Sequence, residues 1–299
     1  MSEVLHRFVA FGEVVESCIP IEGAVRDVSS MRPTIRIQRG DVLTGDRVRE
    51  ASGSYELRTD GSLVFAAGGV GRYLCCPDGR LVIDADDGAD PAHVAALFEA
   101  TALPAMIWLL DPGSLLLHAA AVVPEGDTMA VAILAPTGGG KSTVLAQLLE
   151  EGCSVVADDV VRIRLVDQTV VVAGLPSVIR QRSGGADALG DLRTSFEVPA
   201  RRQVAGAPLG ALVLLERAVA TSSQPCTNVS PGEAIRAVLA HRHRPRVPEL
   251  LCRESAGLQL AGVLSRSVPV LRWTRTEGDT QLRPEELSWL PDPITVGDS

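Results

Sequence analysis

Through the first 90 residues, apolar and polar positions alternate in short runs separated by turn residues. Thr34-Ile35-Arg36-Ile37-Gln38 alternates strictly. Tyr55-Glu56-Leu57-Arg58 leads through Asp60-Gly61 into Leu63-Val64-Phe65, and Pro77-Asp78-Gly79 precedes Leu81-Val82-Ile83. A period of two with Asp-Gly or Pro-Asp-Gly between runs predicts strands joined by tight turns. From Ala92 to Leu110 the chain is apolar at helical length. Asp90-Pro91 supplies an N-cap and a proline for the first turn, and Pro104 predicts a break or kink. The acidic run Asp84–Asp90 lacks calcium-loop spacing, with Gly88 and Ala95 where ligands are needed, and reads as a solvated turn.

The second half changes character. Met129–Leu134 is a continuous apolar run, predicting a buried strand. Ser142–Glu151 carries Val144, Leu145, Leu148 and Leu149 on one face, with Gly152 after it, predicting an amphipathic helix. Cys153–Ala157 predicts a strand ending in Asp158-Asp159, expected to lie beside the 129–134 strand. Val161–Leu165 and Thr169–Val172 predict a hairpin around Asp167-Gln168. Further strands are expected at Leu209–Leu215 and Pro269–Trp273, helices at Ala234–His241 and Pro284–Trp289, and a frayed tail beyond Pro291. The stretch from Gln181 to Gly206, rich in Gly, Asp and Arg, predicts a mobile functional loop with some helix.

Composition narrows the class. The chain has 299 residues, 46% apolar but 3% aromatic, so its core is aliphatic. A net charge of −9 argues against general nucleic-acid or membrane binding. No apolar run approaches membrane-spanning length, and Met1-Ser2-Glu3-Val4 does not open a signal peptide. The six cysteines form no CxxC pair, which is consistent with reduced thiols and a cytoplasmic location.

One lysine occurs among 28 basic residues, and it is Lys141. It sits in Ala135-Pro136-Thr137-Gly138-Gly139-Gly140-Lys141-Ser142-Thr143, between the predicted buried strand and the predicted helix. This is the context of a nucleotide phosphate loop. Glycines let backbone amides wrap the phosphates, the lysine ammonium reaches the terminal phosphates, and the following hydroxyl ligates Mg²⁺. Ala135 replaces the first glycine of the usual pattern. Thr137, Gly138, Gly139, Gly140, Lys141, Ser142 and Thr143 are the expected binders of a nucleoside triphosphate, ATP. Asp158-Asp159 lies one helix and one strand beyond the lysine, so one carboxylate can hold metal while the other takes a proton from an attacking hydroxyl. His118, between the apolar runs 115–117 and 119–123, belongs to a strand that can pair in a hairpin with the 129–134 strand.

His118-Ala119-Ala120, Gly138–Thr143 and Val155-Val156-Ala157-Asp158-Asp159 together resemble the HPr kinase/phosphorylase superfamily. That superfamily shares its nucleotide site with ATP-type phosphoenolpyruvate carboxykinases. The chain looks most like its serine kinases of ribosomal-peptide maturation, including lasso-peptide kinases. Gly174–Arg180 and Pro208–Leu215 resemble further segments of the family, so the likeness covers about residues 110–290. It implies an α/β fold with a P-loop kinase domain over residues 101–290, preceded by a small β-rich domain over residues 1–100, with 291–299 as a flexible tail. It implies catalytic roles for Asp158 as general base, Lys141 and His118, and metal ligation by Ser142 and Asp159, with ATP and Mg²⁺ as cofactors. Two departures stand out. Thr143 replaces the family's Glu after Gly-Lys-Ser, and the Glu-x-Arg-Gly-Leu-Gly segment linked to dephosphorylation is absent. HPr and a phosphorylase reaction are therefore not implied.

The function expected from the sequence is Mg²⁺- and ATP-dependent transfer of a γ-phosphoryl group to a Ser or Thr hydroxyl of a peptide or small protein, such as a ribosomally made precursor. No nucleic acid or membrane partner is expected, and the resemblance leaves room for a homo-oligomer. Two alternatives stay open at this stage: a small-molecule kinase on the same site, and a nucleotide-gated adaptor with little turnover. The 181–206 loop is expected to close over the acceptor. Arg180, Arg182, Arg193, Arg201 and Arg202 are candidates to clamp the phosphoryl group, and His241–Arg246 is a basic run that reads as a solvated turn, with attraction of an acidic peptide as the alternative.

Overall fold

The structure is a computed structural model that describes residues 5–43, 48–182, 193–218, 226–276 and 282. The helix expected over 284–289, the tail 291–299 and the Ser183-Gly184-Gly185 stretch lie outside the described residues. The fold is mixed α/β, with two large sheets. The first contains β1 (His6–Ala10), β2 (Glu13–Ser17), β3 (Val25–Arg26), β4 (Ile35–Arg39), β5 (Val48–Ser52), β6 (Tyr55–Arg58), β7 (Leu63–Ala67), β8 (Gly71–Cys75) and β9 (Arg80–Ala85), ordered 3-1-2-4-9-8-7-6-5. The predicted alternation is visible in burial. In β4, Ile35 and Ile37 are buried while Arg36 and Gln38 are exposed. Asp60 and Asp78 each accept a backbone N–H two residues on, closing the two predicted turns.

The helical run has three parts: α1 (Pro91–Leu97), a π-helical turn (Phe98–Ala102) and α2 (Leu103–Leu110). Asp90 caps it as expected, accepting from the Ala92 amide. The kink expected at Pro104 is replaced by the π turn one step earlier. Pro104 has no N–H for the Ala100 carbonyl and its ring crowds that turn, so the helix widens there. The freed Ala100 carbonyl accepts from Nε2 of His243 at 3.0 Å. The expectation that no apolar run approaches membrane-spanning length is corrected here: Pro91–Leu110 is long and apolar enough to cross a membrane, but 67% of its apolar window is buried inside the fold, as in a core helix.

The second sheet is built from β10 (Leu115–Leu117), β11 (Ala119–Val123), β12 (Ala130–Leu134), β13 (Ser154–Ala157), β14 (Val161–Val166) and β15 (Thr169–Ala173). A separate hairpin pairs β16 (Val178–Arg182) with β17 (Arg193–Glu197), so the described arms of the expected 181–206 loop are strands, followed by a short 3₁₀ turn at Ala200–Arg202. The long β18 (Gly206–Ala218) rejoins the second sheet, whose order is 10-14-15-18-12-11-13. β19 (Cys226–Asn228) and β20 (Val270–Thr276) extend it beside β18. Helix α3 (Lys141–Glu150) follows β12, and α4 (Pro231–Ala240), α5 (Arg246–Leu250) and α6 (Glu254–Ser267) lie between β19 and β20.

The apolar runs of the second half are buried on both faces. In β12, Ala130, Ala132 and Leu134 face the larger core, while Val131 and Ile133 face a second core with Val144, Leu145 and Leu148 of α3. The expected pairing of the 153–157 strand with the 129–134 strand is corrected: β11 lies between them. A short connection lets β11 and β12 form a hairpin, and that hairpin occupies the edge that β13 would have used.

A buried guanidinium joins the two sheets. Arg162 of β14 donates to Ser114 Oγ at 2.7 Å, the Phe11 carbonyl at 2.8 Å, Glu13 Oε1 at 2.7 Å and Asp111 Oδ2 at 2.6 Å. Removing one partner of a buried ionic network leaves the others desolvated and unmatched, at a cost of about 3–5 kcal/mol. Arg162→Ala is expected to lower unfolding free energy by about that much, read from urea titrations. A change of under about 1 kcal/mol would assign the network to the low-value surface class.

Candidate functional site

β12 and β13 point the same way because each pairs antiparallel with β11. The chain leaves both strands at one edge of the sheet, where β11 begins: Ala119 sits opposite Leu134, and Ala121 opposite Ala157. The residues after Leu134, the residues after Ala157 and the residue before Ala119 are therefore neighbours. These are the glycine loop, the acid pair and His118.

The loop is shaped by its glycines. Gly138 and Gly140 have φ of +78° and +93°. A Cβ at Gly139 would stand 2.8 Å from Ala135 Cβ and 2.9 Å from the Pro136 carbonyl oxygen. Lys141 opens α3 and is buried. Its Nζ donates to the Ala135 carbonyl at 2.8 Å, folded over its own loop. Burial lowers its pKa, opposed by the charges of Asp159 and Asp158.

The two aspartates have separate surroundings. Asp158 is buried. Ser142 Oγ donates to it at 2.9 Å, and the Arg180 amide donates to its other oxygen at 2.8 Å. Burial, with the charge of Asp159 adding to it, pushes the Asp158 carboxyl up to about 6 against those hydrogen bonds. Asp159 is about one-third exposed and takes φ of +93°, a costly conformation for a residue with a side chain. That turn aims its carbonyl at the Ala119 amide, 3.2 Å away. His118 Nδ1 lies 3.1 Å from both the Asp159 carbonyl and Asp159 Oδ1. Both of those oxygens only accept, so the imidazole proton sits on Nδ1.

A cleft of about 210 Å³ is bounded by His118, the loop residues Thr137–Thr143, Asp159, Arg180 and Arg217. It brings together the expected phosphate-binding residues, Lys141, His118, Asp159 and Ser142, with Asp158 directly behind Ser142. Its amides, ammonium and helix N-terminus suit a phosphate chain, and Ser142 with Asp159 offers hard oxygen donors suited to Mg²⁺. Among the described residues no group of three or more His, Cys, Asp and Glu could hold a metal by itself.

Of the five candidate arginines, Arg180 lines this cleft. Arg202 bonds the Gly152 carbonyl and Glu125, at the far end of α3 from the loop, and Arg201 is exposed. The side chains of Arg182 and Arg193 lie outside the described residues. Two contributors were not anticipated. Arg217 reaches Gly140 from the end of β18. Glu99, on the π turn and 2% exposed, bonds Arg180 Nη2 at 2.6 Å and the Glu22 amide at 2.7 Å. Glu99 sits in an apolar helix, and a lone buried carboxylate there was a readable signal. The basic run 241–246 is less solvated than expected. His243 is buried, its amide donates to Leu116 and its carbonyl accepts from Trp108 Nε1. Burial drives its pKa down to about 4, leaving it neutral.

A second cavity, of about 570 Å³, adjoins the cleft and shares Asp159 and Arg180 with it. Asp158 also lines this cavity, as do Phe11, Leu97, Glu99 and Leu175.

No family model matches the chain. No curated protein is similar to it. Among solved structures it is similar to the Hpr(Ser) kinase/phosphatase from Coxiella burnetii, at 14% identity and a TM-score of 0.33, over 54% of this chain and 85% of that one. A match this loose carries no argument about fold or function.

Proposed function

We propose that the chain is a phosphotransferase that moves the γ-phosphoryl group of ATP, with Mg²⁺, to a Ser or Thr hydroxyl of a peptide or small protein. The observation that carries this reading is the 2.9 Å contact from Ser142 to Asp158. It places a buried carboxylate, with a pKa pushed up to about 6, against the phosphate loop. A base whose pKa lies near the operating pH takes a proton most effectively.

In this reading Gly138–Gly140 and the α3 N-terminus hold the phosphate chain, and Lys141 turns from its loop carbonyls to the terminal phosphates. Ser142 and Asp159 hold the metal, with His118 orienting Asp159. Asp158 accepts the proton of the acceptor hydroxyl, and Arg180, held by Glu99, faces the charge that develops on the phosphoryl oxygens. Bound Mg²⁺-ATP supplies the phosphoryl group and neutralises part of its charge. A ribosomally made precursor peptide is the acceptor suggested by the sequence resemblance. The absence of a Glu-x-Arg-Gly-Leu-Gly segment supports a forward kinase without phosphorylase activity.

Incubating the protein with ATP, Mg²⁺ and a broad set of Ser- and Thr-containing peptides tests this. Mass spectrometry is expected to find one added phosphate on a Ser or Thr, lost on chelation and not removed by orthophosphate. Tight ATP binding with no phosphorylated peptide would replace the proposal with the adaptor reading.

A further inference from the structure

We infer that the cavity of about 570 Å³ is the acceptor site, and that it selects an aliphatic hydroxyl carried on an apolar, uncharged frame. The inference rests on the phosphotransferase reading and adds to it where the acceptor enters and what chemistry it has.

Position comes first. Three cavities meet at the acid pair. The loop cleft holds the glycines and Lys141, and a cavity of about 650 Å³ beneath His241–Pro245 touches Asp159 and His118. The 570 Å³ cavity alone among these three is lined by Asp158 as well as Asp159, and it shares Arg180 with the loop cleft. A hydroxyl within it has the proton acceptor on its own side, with the phosphate loop beyond. Its oxygen forms the new O–P bond as the bond from phosphorus to the departing ADP oxygen breaks. Its proton passes to Asp158.

The walls define the chemistry. The first sheet contributes Phe11 and Val70, the helical run contributes Ala96 and Leu97, and Leu175 closes the other side. Phe11 is fully buried with φ of +53°, a conformation that costs a bulky residue about 1–3 kcal/mol and that the surrounding structure must hold. Its amide bonds the Gly174 carbonyl at 3.1 Å, which ties the wall to the segment beside Leu175. Among the charged walls, buried Glu99 and half-buried Arg180 are paired with each other, Asp158 accepts from Ser142 and the Arg180 amide, and Asp159 is paired with His118. The remaining ionisable walls, Glu22, His93 and Arg244, are exposed. A charged acceptor would lose its hydration without a free counter-charge inside, whereas an apolar one would gain from burial. The volume falls within the roughly 300–1,000 Å³ of sites that enclose a compact ligand.

Ala96 is exposed on α1 and lines the cavity, so Ala96→Trp fills the space from the helix surface without disturbing the core. The full chain with Mg²⁺ and labelled ATP is offered end-blocked pentapeptides with a central Ser flanked by Leu and Val, the same peptides flanked by Lys and Glu, and the alcohols butanol and hexanol. Binding of each is followed in parallel by saturation-transfer NMR with a non-hydrolysable ATP analogue. Apolar-flanked hydroxyls are expected to be preferred by about tenfold to a hundredfold in kcat/KM. Ala96→Trp is expected to remove that transfer and the NMR signal while ATP affinity is unchanged. Peptides outrunning alcohols identify a chain segment as the source of the hydroxyl, and the reverse identifies a small molecule. Undiminished transfer by Ala96→Trp, a preference for charged flanks, or neither binding nor transfer for any apolar hydroxyl overturns the inference while the nucleotide site stands. Failure of the wild-type protein to bind ATP overturns the underlying reading instead.

Discussion

Lys141→Ala is expected to abolish phosphoryl transfer and weaken nucleotide binding. Lys141 is buried at the start of α3, within reach of the loop it serves, and its Nζ is held by carbonyls that phosphate oxygens can replace. Deleting a charge aimed at a developing phosphoryl charge costs about 10²–10³ in rate. Lys141→Arg is expected to fail as well. The Ala135 and Pro136 carbonyls and the cramped Gly139 leave a slot for a compact ammonium, and a planar guanidinium needs more room. Labelled-ATP turnover and calorimetric ATP binding on both variants check this. Near-wild-type turnover by Lys141→Arg would remove Lys141 from the proposed mechanism.

Asp158→Asn is expected to lower kcat by about 10²–10⁴ while nucleotide and metal still bind, as befits loss of a general base. The wild-type kcat/KM is expected to fall by about tenfold per pH unit below about 6, where Asp158 becomes protonated, and Asp158→Asn should lack that limb. Stability should move the opposite way. The folded pKa lies above the ordinary carboxylate value, so the folded state binds the proton more tightly. The stability from this group is present at low pH and is lost as pH rises through about 4 to 6, at about 1.4 kcal/mol per unit. Asp158→Asn removes that loss, so its melting temperature at pH 8 is expected to equal or exceed wild type. A mutant that is both inactive and markedly less stable at pH 8 would mark Asp158 as structural. If this mutant loses metal while Asp159→Asn keeps it, the roles of the two acids are exchanged.

Much of the site was legible because its parts are local in sequence. A strand running into Gly138–Gly140 and then a helix can fold in few ways, since the glycines need φ values that other residues resist. The strand ending in Asp158-Asp159 and the Asp167-Gln168 hairpin were readable from period and turn chemistry alone, and both residues of that turn have positive φ. The helix over Glu254–Ser267 was missed, and the Gln181–Gly206 stretch was read as a loop although its described arms are strands. A polar, glycine-containing segment gives little periodicity, and its pairing is decided by the partner strand.

What the sequence determined by itself was the glycine loop between strand and helix, the acid pair and the alternation that made the front half β-rich, because each rests on neighbours within a few residues. What tertiary structure decided was which distant residues share one edge of the sheet. The β11–β12 hairpin displaced β13 from the expected neighbour yet kept both strands pointing the same way, so the acids still meet the loop. The different surroundings of Asp158 and Asp159 arise in the same manner. One is buried under Ser142 and the Arg180 amide, and the other is turned toward His118. Glu99 lies 81 positions from Arg180 in sequence, and Phe11 lies 151 from Arg162. Contacts of that range follow from how two sheets and a helix bury their apolar faces together, and no local pattern encodes them.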